Sequence, residues 1–520
     1  MRAIFCEFTY QDWEQTENKL SFIPLVIETY KNSSDFQLGL EANAYFNGEN
    51  TEILKKVLIK PDVITTQTEE GVQKKLESKQ VIGNRLSNDF FFRFVVQQNQ
   101  YLLGNGVTLK DAETKKKLGQ SFDTRLQEIG ENALLHGVSW GYWNNDHMES
   151  ISAVKDPLSG FVALCDEITS EPKVGIQFWQ IARDKPMGVR LFETDGVTIY
   201  RFPSNASIDN DTLVSVAEKK RPYRVQTFKD GGGLDVIGGE NYSALPVVPL
   251  FANKEKRSEL THNIKSKIDA YDRIQSDLGD NLDRANDVYW VLNNFGGDAK
   301  DVVNMIEMIN SIKAVMNQTN GIGGGASAEP RTIEVPYAAR ATALEILKKS
   351  LYQDFMALDM DEIKGGSLTN VAIKTAMANL NLKADRYEWQ CFAFVQNILS
   401  FVGITGEDAE IIRFNRRGIV NESETIANIY MARNDVSRQW ALEANPMVNA
   451  DEIPLILAER DKDTQEDANK MLEIEARRTL IAGANQAKKE AVKGEDYVDE
   501  QNPQRQMQSQ IFEQESIVEK

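Results

Sequence analysis

The sequence predicts an α+β protein with more than one structural region. Apolar residues recur at helical spacing before residue 143 and again after Pro249, whereas the part between about 150 and 250 consists of short Val, Ile, Phe and Tyr runs separated by Gly, Asn, Asp and Pro. The chain has 520 residues, 41% of them hydrophobic, which is too long for one ordinary domain and enough for several cores.

The first part of the chain predicts helices that lead into a strand. Apolar residues of the range 86–103 follow helical spacing, and Gly104 is a plausible stop signal. The range 121–136 repeats this pattern, and Gly137 then precedes the aromatic residues Trp140, Tyr142 and Trp143. We therefore expect a second helix that continues directly into an aromatic strand.

The character of the chain changes after Pro249. Helical spacing from Leu260 to Leu292 predicts one helix of about 35 residues, which would be about 50 Å long. Such a helix needs neighbours along its length. Residues 295–336 interrupt the pattern with a predicted short helix at 301–316, a glycine loop at 321–325 and a β-like stretch at 332–335.

The last part of the chain again predicts helices. A helix is expected at 337–355, followed by a polar loop at 359–370 and a helix at 371–402 that is apolar almost all round and therefore expected to be buried. Residues 461–490 also have helical spacing, whereas the Gln-, Glu- and Asp-rich end of the chain predicts disorder.

The charge balance disfavours tight binding of nucleic acid. The chain has 59 Lys and Arg against 78 Asp and Glu, a formal net charge of −19. Non-specific affinity for DNA comes mainly from basic side chains that neutralise phosphates. An acidic chain of this kind is expected to bind DNA weakly at most.

Other bulk features indicate an intracellular protein. Cys6, Cys165 and Cys391 stand far apart without CxxC spacing, which predicts neither a disulfide framework nor a zinc site. The N-terminus lacks the apolar run of a signal peptide, and no stretch of ~18 apolar residues predicts a membrane span.

No motif predicts catalysis or a cofactor. His136, His147 and His262 occur without an HExxH pattern or a nucleophile motif. The glycine-rich pieces at 229–233 and 321–325 lack the GxxxxGK[ST] order of a phosphate-binding loop and are expected to be turns. We predict that the chain is not an enzyme and has no cofactor.

Two groups of acidic residues invite a metal interpretation. Asp277, Asp280 and Asp283 recur at intervals of three, whereas a calcium loop uses alternate positions with a glycine to bend the chain. We expect a solvated acidic helix face instead. Asp359, Asp361 and Glu362 form a second group, which chance explains in a chain with 78 acidic residues.

The order of segments from about 36 to 460 resembles the portal protein family of long-tailed bacteriophages. Residues 84–90 through 101–106 are similar to the family's N-terminal helix with its Tyr-Leu-x-Gly turn, and residues 126–140 to a helix followed by an aromatic strand. The strongest match is Ala-Leu-Pro-Val-Val-Pro-Leu-Phe-Ala-Asn at 244–253, followed by an acidic helical pattern to about 282, which resembles the family's strand, turn and stem helix.

A further similarity lies at Gly366 and Ser367, before the Val-Ala-Ile-Lys sequence at 371–374. It resembles the segment after the family's tunnel loop, although Leu-Thr-Asn at 368–370 replaces the glycine expected there. The resemblance implies a portal fold with an α/β wing, a helical stem, a small α/β clip and a helical C-terminal crown. The implied regions are the wing (1–250), first stem helix (251–292), clip (293–336), second stem helix (337–356), tunnel loop (357–370), long helix with the rest of the wing (371–449), crown (450–490) and disordered tail (491–520).

The resemblance also implies a function. It implies a homo-oligomeric ring of twelve copies at one capsid vertex, the channel for packaging and ejection of double-stranded DNA, in the virion and in the host cytoplasm during assembly. The implied partners are the terminase large subunit, the major capsid protein and scaffold, head-completion or adaptor proteins, and weakly bound DNA, with no membrane. Another capsid or tail-associated ring component is the alternative, and a hydrolase is weaker because no nucleophile or metal constellation is visible.

Two groups of residues are the candidates for this function. The implied tunnel loop contains Asp359, Asp361, Glu362, Lys364, Gly365 and Gly366, and its two glycines permit hinge-like backbone shifts. The implied clip is too small for a core of its own, so we expect apolar contacts with a neighbouring subunit or the motor from Phe295, Met305, Met308, Ile309 and Ile312.

Overall fold

The fold is known from a computed structural model that describes most of the chain in two compact units. The described residues are 6–68, 71–203, 214–230, 233–285, 289–293, 314–317, 327–331, 337–362, 370–416, 422–432, 435–445, 447–448 and 453–495. The boundary between the units falls between Ile419 and Val420.

The first unit begins with short helices. These are α1 (Tyr10–Gln15), α2 (Lys19–Lys31), α3 (Ser34–Phe46) and α4 (Thr51–Leu54). Thr9 starts α1 with a capping box, because its hydroxyl accepts the Asp12 N–H and the Asp12 carboxylate accepts the Thr9 N–H. An antiparallel pair then follows, β1 (Leu58–Thr68) and β2 (Gly71–Val81).

The predicted helix and helix-to-strand segments are confirmed. Helix α5 (Phe90–Leu103) ends at Gly104, and strand β3 (Val107–Thr108) and helix α6 (Ala112–Lys117) connect it to α7 (Phe122–His136). Gly137 follows α7 with φ of 86°, a left-handed conformation that glycine adopts without a steric penalty. Its N–H donates to the Ala133 carbonyl at 2.7 Å, and the aromatic strand β4 (Val138–Asn144) begins immediately afterwards.

The middle of the chain is β-rich, as predicted. In the described residues, a six-stranded antiparallel meander has the order β11-β10-β9-β8-β7-β6. Its strands are β6 (Val154–Asp156), β7 (Ser159–Cys165), β8 (Pro172–Trp179), β9 (Met187–Glu193), β10 (Gly196–Phe202) and β11 (Ser215–Arg221). A separate sheet places β4 between β5 (His147–Ser152) and β14 (Val247–Phe251).

The turn predicted at 229–233 lies between two paired strands, and its residues 231 and 232 are outside the described part of the chain. Strands β12 (Arg224–Asp230) and β13 (Gly233–Glu240) are antiparallel, and Asp230 pairs with Gly233. The other glycine-rich piece, at 321–325, lies outside the described residues.

The predicted helix from Leu260 to Leu292 is wrong in its length. Helix α8 spans His262–Ala285, and the chain is extended at β15 (Tyr289–Asn293), which contains the strand-favouring residues Tyr, Trp, Val and Leu. The helix predicted at 301–316 is also wrong where it can be compared, because residues 314–316 lie in β16 (Ala314–Asn317). Strand β15 pairs with β16 in parallel and with β17 (Ser327–Arg331) antiparallel; residues 332–335 lie outside the described residues.

The helix predicted at 337–355 is confirmed as α9 (Tyr337–Phe355), which a short 3₁₀ turn (Met360–Glu362) follows. The single buried helix predicted at 371–402 is wrong. Two helices, α10 (Asn370–Ala376) and α11 (Ala378–Phe401), occupy this range, and Trp389 of α11 is 72% exposed. Charged residues on the same face, such as Arg386, contact solvent, so apolar content alone overstated the burial.

The end of the first unit returns to its beginning. After α11 a 3₁₀ turn (Gly406–Ala409) leads to β18 (Arg413–Phe414), which pairs antiparallel with β3. The Lys110 Nζ lies 2.6 Å from Asp408 Oδ1, and Asn415 Nδ2 donates to Thr108 Oγ1 at 2.8 Å. Residues near position 108 and position 413 are thus joined by backbone, ionic and side-chain contacts.

The second unit is helical where it is described. It contains α12 (Glu422–Ala432), α13 (Arg438–Glu443) and α14 (Ile453–Glu495). The helix predicted at 461–490 is confirmed. The disorder predicted for 491–520 stays a prediction; α14 extends to Glu495, and the rest of that range lies outside the described residues.

Two large cores organise the first unit. In one, α5, α7 and α11 pack together with the start of α8 and the end of α9. In the other, the N-terminal helices cover the meander and the inner side of β4. The helical core depends on periodic apolar positions, for example Phe90, Phe94 and Leu102 on α5. Rings of α5 contact both α8 and α9: Phe90 contacts Tyr271, and Phe94 contacts Tyr352 and Phe355.

We predict that replacing glycine with alanine has opposite effects on stability at two glycines that lie within helices. A Cβ at Gly130 of α7 would lie 2.6 Å from both Asn99 Oδ1 and Tyr387 Oη, so Gly130→Ala should destabilise the fold by about 1–3 kcal/mol through overpacking. At Gly483 of α14, no atom of the described residues lies within 4 Å of such a Cβ, so Gly483→Ala should stabilise by up to about 1 kcal/mol. Urea unfolding followed by circular dichroism measures both, and equal effects at the two sites would contradict the packing at Gly130.

Candidate functional site

The candidate site is the pair of helices α8 and α9 together with the segment that follows α9. The start of α8 lies beside the end of α9. Lys267 Nζ donates to Ser350 Oγ at 2.6 Å and forms an ion pair with Asp354, to which Asn263 Nδ2 also donates at 2.6 Å. Ile264 and Ile268 of α8 are buried with Leu351 of α9. Polar and apolar contacts therefore hold these ends together.

The prediction of a solvated acidic face on α8 is wrong for Asp280, which is buried, whereas the Asp277 side chain is 44% exposed and Asp283 is exposed. This face of α8 is therefore only partly open to solvent. It packs against two chain segments, 50–56 and 84–88, and each turn of the helix makes a polar contact with them. Asn88 Nδ2 donates to Asp272 at 2.7 Å, the Leu86 N–H to Ser276 Oγ at 2.9 Å, and the Asn84 N–H to Asp280 at 2.7 Å. Asn84 Nδ2 reaches Asp283 at 2.8 Å. We call this contact the α8 seam.

Lys56 forms ion pairs with two carboxylates in the C-terminal half of α8, within the α8 seam. Its Nζ lies 2.7 Å from Asp277 Oδ1 and 2.7 Å from Asp280 Oδ2, with side-chain exposures of 12% for Lys56 and 7% for Asp280. Burial disfavours the charged form of Asp280, but hydrogen bonds from Lys56 and Asn84 outweigh it and lower the pKa of Asp280. Asp277 and Asp280 thus share one lysine as their ion-pair partner. This ion pair explains why the two carboxylates lie close together, so no metal ion is needed to explain it.

Asp272 is the fully buried acid of the α8 seam. It accepts hydrogen bonds from Asn50 Nδ2 at 2.5 Å and from Asn88 Nδ2 at 2.7 Å. Burial raises the pKa of Asp272 to about 6, although these two hydrogen bonds favour the charged form. Among the described residues, Asn50 Oδ1 has no hydrogen-bond partner, so a rotated Asn50 amide can accept a hydrogen bond from the protonated carboxyl group of Asp272.

We predict that Asp272 makes the fold less stable as the pH rises. Its folded-state pKa exceeds its unfolded value of 3.8, so the folded state holds the proton more tightly between pH 4 and 6. The stabilisation is complete below about pH 4 and is lost as the pH rises through 6, by about 3 kcal/mol in total. Melting temperatures of the wild type and Asp272→Asn between pH 4.5 and 7.5 measure this.

The amide introduced by Asp272→Asn stays neutral throughout this pH range, and rotation of the Asn50 amide can supply the acceptor that it needs. The pH-dependent difference between the two proteins should therefore be largest above pH 6, where only the wild type carries a buried charge. If the melting temperatures of the two proteins changed with pH in the same way, Asp272 would not change its protonation state in the α8 seam over this range.

We predict that Lys56→Met destabilises the fold by about 3 kcal/mol, because it leaves Asp280 buried without its cation. Lys55→Met is the matched control: Lys55 is exposed and, among the described residues, forms an ion pair only with Glu52 on the surface, so its loss should leave stability nearly unchanged. Chemical denaturation of both variants gives the comparison. Similar values for the two lysines would contradict a buried role for Lys56.

The segment after α9 and the start of α10 meet in one apolar cluster. Leu358, which follows α9, is buried together with Ile373 and Met377 from the beginning of the next helical segment, and Tyr101 of α5 belongs to the same cluster. The two ends of the range 359–370 are therefore held close together. Closely spaced, anchored ends of this kind are typical of a compact surface loop.

Two of the predicted loop residues, Asp359 and Asp361, contact Lys348, which was not predicted as a site residue. Lys348 Nζ lies 3.4 Å from Asp359 Oδ2 and also pairs with Asp361, whose N–H donates to Asp359 Oδ1 at 3.0 Å. Glu362 ends the 3₁₀ turn. Lys364, Gly365 and Gly366 lie outside the described residues, as do the predicted clip contacts Phe295, Met305, Met308, Ile309 and Ile312.

The histidines and cysteines are not assembled into a reactive site. His136 is buried with Nε2 2.8 Å from Asn43 Oδ1, and burial lowers the pKa of His136 to about 3. Burial raises the pKa of Cys391 well above its usual range and that of Cys6 to about 11. Over the described ranges, no group of His, Cys, Asp and Glu could hold a metal ion. None of the helices in those ranges is both long and apolar enough for a membrane span.

Comparison with known proteins gives consistent results. Residues 29–466 match the family model described as "Phage portal protein, SPP1 Gp6-like". A curated "Portal protein" of Clostridium phage phiCD119 is 23% identical over 380 residues, which cover 70% of this chain and 79% of that protein. A curated "Portal protein" of Bacillus phage SPP1 is 24% identical over 405 residues, or 73% and 76% of the two chains.

Proposed function

The chain belongs to the SPP1 Gp6-like family of phage portal proteins, and we propose that it assembles into a homo-oligomeric ring of twelve copies around a channel for double-stranded DNA. The family is structural and non-enzymatic, and its members are virion components with a role in DNA packaging. The observation that carries the proposal is the extent of the match: residues 29–466 include the helical core, most of the second core, α8, α9 and the loop between α9 and α10. A capsid or tail-associated protein is therefore no longer a comparable alternative.

We propose the following assignment of regions within the ring subunit. The wing consists of residues 1–250 with 371–449, the stem of α8 and α9, and the crown of residues 450–490. Because α8 ends at Ala285 and β15 begins at Tyr289, we place the beginning of the clip near 286 instead of 293. The loop at 357–370 is then the tunnel loop, and its anchored ends in one apolar cluster support this assignment.

The partners follow from this assignment. We propose that the clip binds the terminase large subunit during packaging and head-completion or adaptor proteins afterwards, and that the wing contacts the major capsid protein and scaffold. The ring would occupy the portal vertex of the virion after assembly in the host cytoplasm. In this proposal, the apolar clip residues Phe295, Met305, Met308, Ile309 and Ile312 bury against a neighbouring subunit or the motor.

The charge of the chain supports transient contact with DNA. Each copy carries a formal net charge of −19, so a ring surface repels phosphates on average and DNA can slide without strong attachment. At the proposed tunnel loop, Asp359 and Asp361 share Lys348, which leaves the local charge acidic. Lys364 is the basic group within the loop itself.

The assembly is tested with the purified full-length protein. Negative-stain electron microscopy should show rings with a central hole, and native mass spectrometry should give a mass of twelve copies. Closed rings with another number of copies would correct the stoichiometry alone. A stable single copy, with or without capsid and scaffold proteins present, would overturn the proposed function.

We predict that reversing loop charges changes DNA handling and leaves assembly intact. Asp361→Lys adds attraction for phosphates at the proposed channel constriction, so packaging should slow and ejection should be less complete. Glu113→Lys is the control, because it makes the same charge change on the exposed helix α6 outside the loop. Nuclease-protected DNA per particle measures packaging; equal values for the two variants, with rings intact, would contradict a channel position for Asp361.

A further inference from the structure

The chain leaves α9 through a strained but fully bonded turn. The Ala357 N–H donates to the Tyr352 carbonyl at 2.9 Å and the Met356 N–H to the Gln353 carbonyl at 3.1 Å, which is the Schellman arrangement at the end of a helix. The residue in the left-handed position is usually glycine, but here it is Met356, with φ of 61°. Contacts from elsewhere in the chain must therefore hold this conformation.

Gln97 of α5 supplies one such contact. Its Oε1 accepts the Leu358 N–H at 3.0 Å, and its Nε2 donates to the Leu358 carbonyl at 3.0 Å. One side chain thus binds both backbone polar groups of a single residue, as a neighbouring β-strand would do. This fixes the position and also the orientation of the peptide units on either side of Leu358.

Lys383 of α11 supplies the second contact. Its Nζ donates to the Phe355 carbonyl at 2.9 Å, pairs with Glu259 at 2.8 Å and lies 3.1 Å from the centroid of the Phe355 ring. The same ring stacks on Phe94 of α5 at 4.6 Å between centroids. The last carbonyl of α9 is thus fixed to α11, and its last ring is fixed to α5.

We infer that Gln97 is a positioning residue, which together with Lys383 sets where and in which direction the chain leaves α9 towards Asp359 and Asp361. This inference rests on the proposed function, in which the following segment is the tunnel loop. The apolar anchor of Leu358 remains without Gln97, because its side chain is buried with Tyr101 and Ile373. Loss of Gln97 should therefore free the backbone of Leu358 locally and leave the cores in place.

A matched pair of variants separates positioning from general stability. Gln97→Leu keeps a side chain of similar size on α5 and removes both hydrogen bonds to Leu358. Gln100→Leu is the control on the same helix, because the Gln100 amide contacts a side chain, Gln127, at 3.4 Å. Gln97→Glu is the graded variant, since its carboxylate can accept the Leu358 N–H but cannot donate to the Leu358 carbonyl.

Two measurements on the full-length ring test the inference. Hydrogen–deuterium exchange at the Leu358 amide should be on the order of tenfold faster in Gln97→Leu than in the wild type, as expected for one lost hydrogen bond. Exchange in Gln97→Glu should be closer to the wild type, and in Gln100→Leu unchanged. Particles that carry Gln97→Leu should package less DNA than particles that carry Gln100→Leu, at the same ring yield and melting temperature.

The outcomes are distinct. Unchanged exchange at Leu358 in Gln97→Leu would show that the two hydrogen bonds from Gln97 do not hold the Leu358 backbone. Faster exchange with normal packaging would overturn the positioning role of Gln97 while leaving the proposed function intact. A lower melting temperature or loss of rings in Gln97→Leu, but not in Gln100→Leu, would assign Gln97 a role in stability alone. If the wild type forms no ring, the proposed function fails independently of Gln97.

Discussion

The burial of acidic side chains along α8 is the constraint on which the first unit depends. Asp272 and Asp280 lose most of their water, and each must then find donors in the segments 50–56 and 84–88. Those donors are asparagine amides, backbone N–H groups and one lysine, and each is placed by a different part of the N-terminal region. The direction of α8 is therefore fixed by polar contacts whose geometry tolerates little displacement.

The other end of the helix pair is held in a different way. Rings of α5 and α9 stack there, and Lys383 and Gln97 bind backbone carbonyl and N–H groups at the exit of α9. Polar contacts of the α8 seam connect α8 to the N-terminal segments 50–56 and 84–88. Polar and aromatic contacts at the end of α9 connect α9 to α5 and α11. A segment that begins and ends in the cluster of Leu358 and Ile373 is consequently supported by rigid elements on both sides.

The sequence predicted the elements that have a strong local signal. The periodic apolar residues of α5 and α7, the Gly137 terminator and the β-rich middle were all predicted correctly, because each is determined by neighbours within a few residues. The end of α8 was not, since Tyr289 and Leu292 continue the helical spacing although they lie in a strand. The α8 seam could not be predicted either: Asp280 and its partner Lys56 are more than 200 positions apart, and the spacing of the acids alone is equally compatible with a solvated face. Gln97 and Lys348 were missed for the same reason.

The pairing of β3 with β18 has a consequence for how the chain acquires its structure. Thr108 and Arg413 are partners across a separation of some three hundred positions, and everything between them, including the helix pair, forms one closed loop. The entropic cost of loop closure grows only slowly with loop length, but pairings between residues so far apart in the sequence slow folding. On the ribosome, this pairing cannot form until residue 414 has emerged, so β3 is synthesised about three hundred residues before the strand with which it pairs.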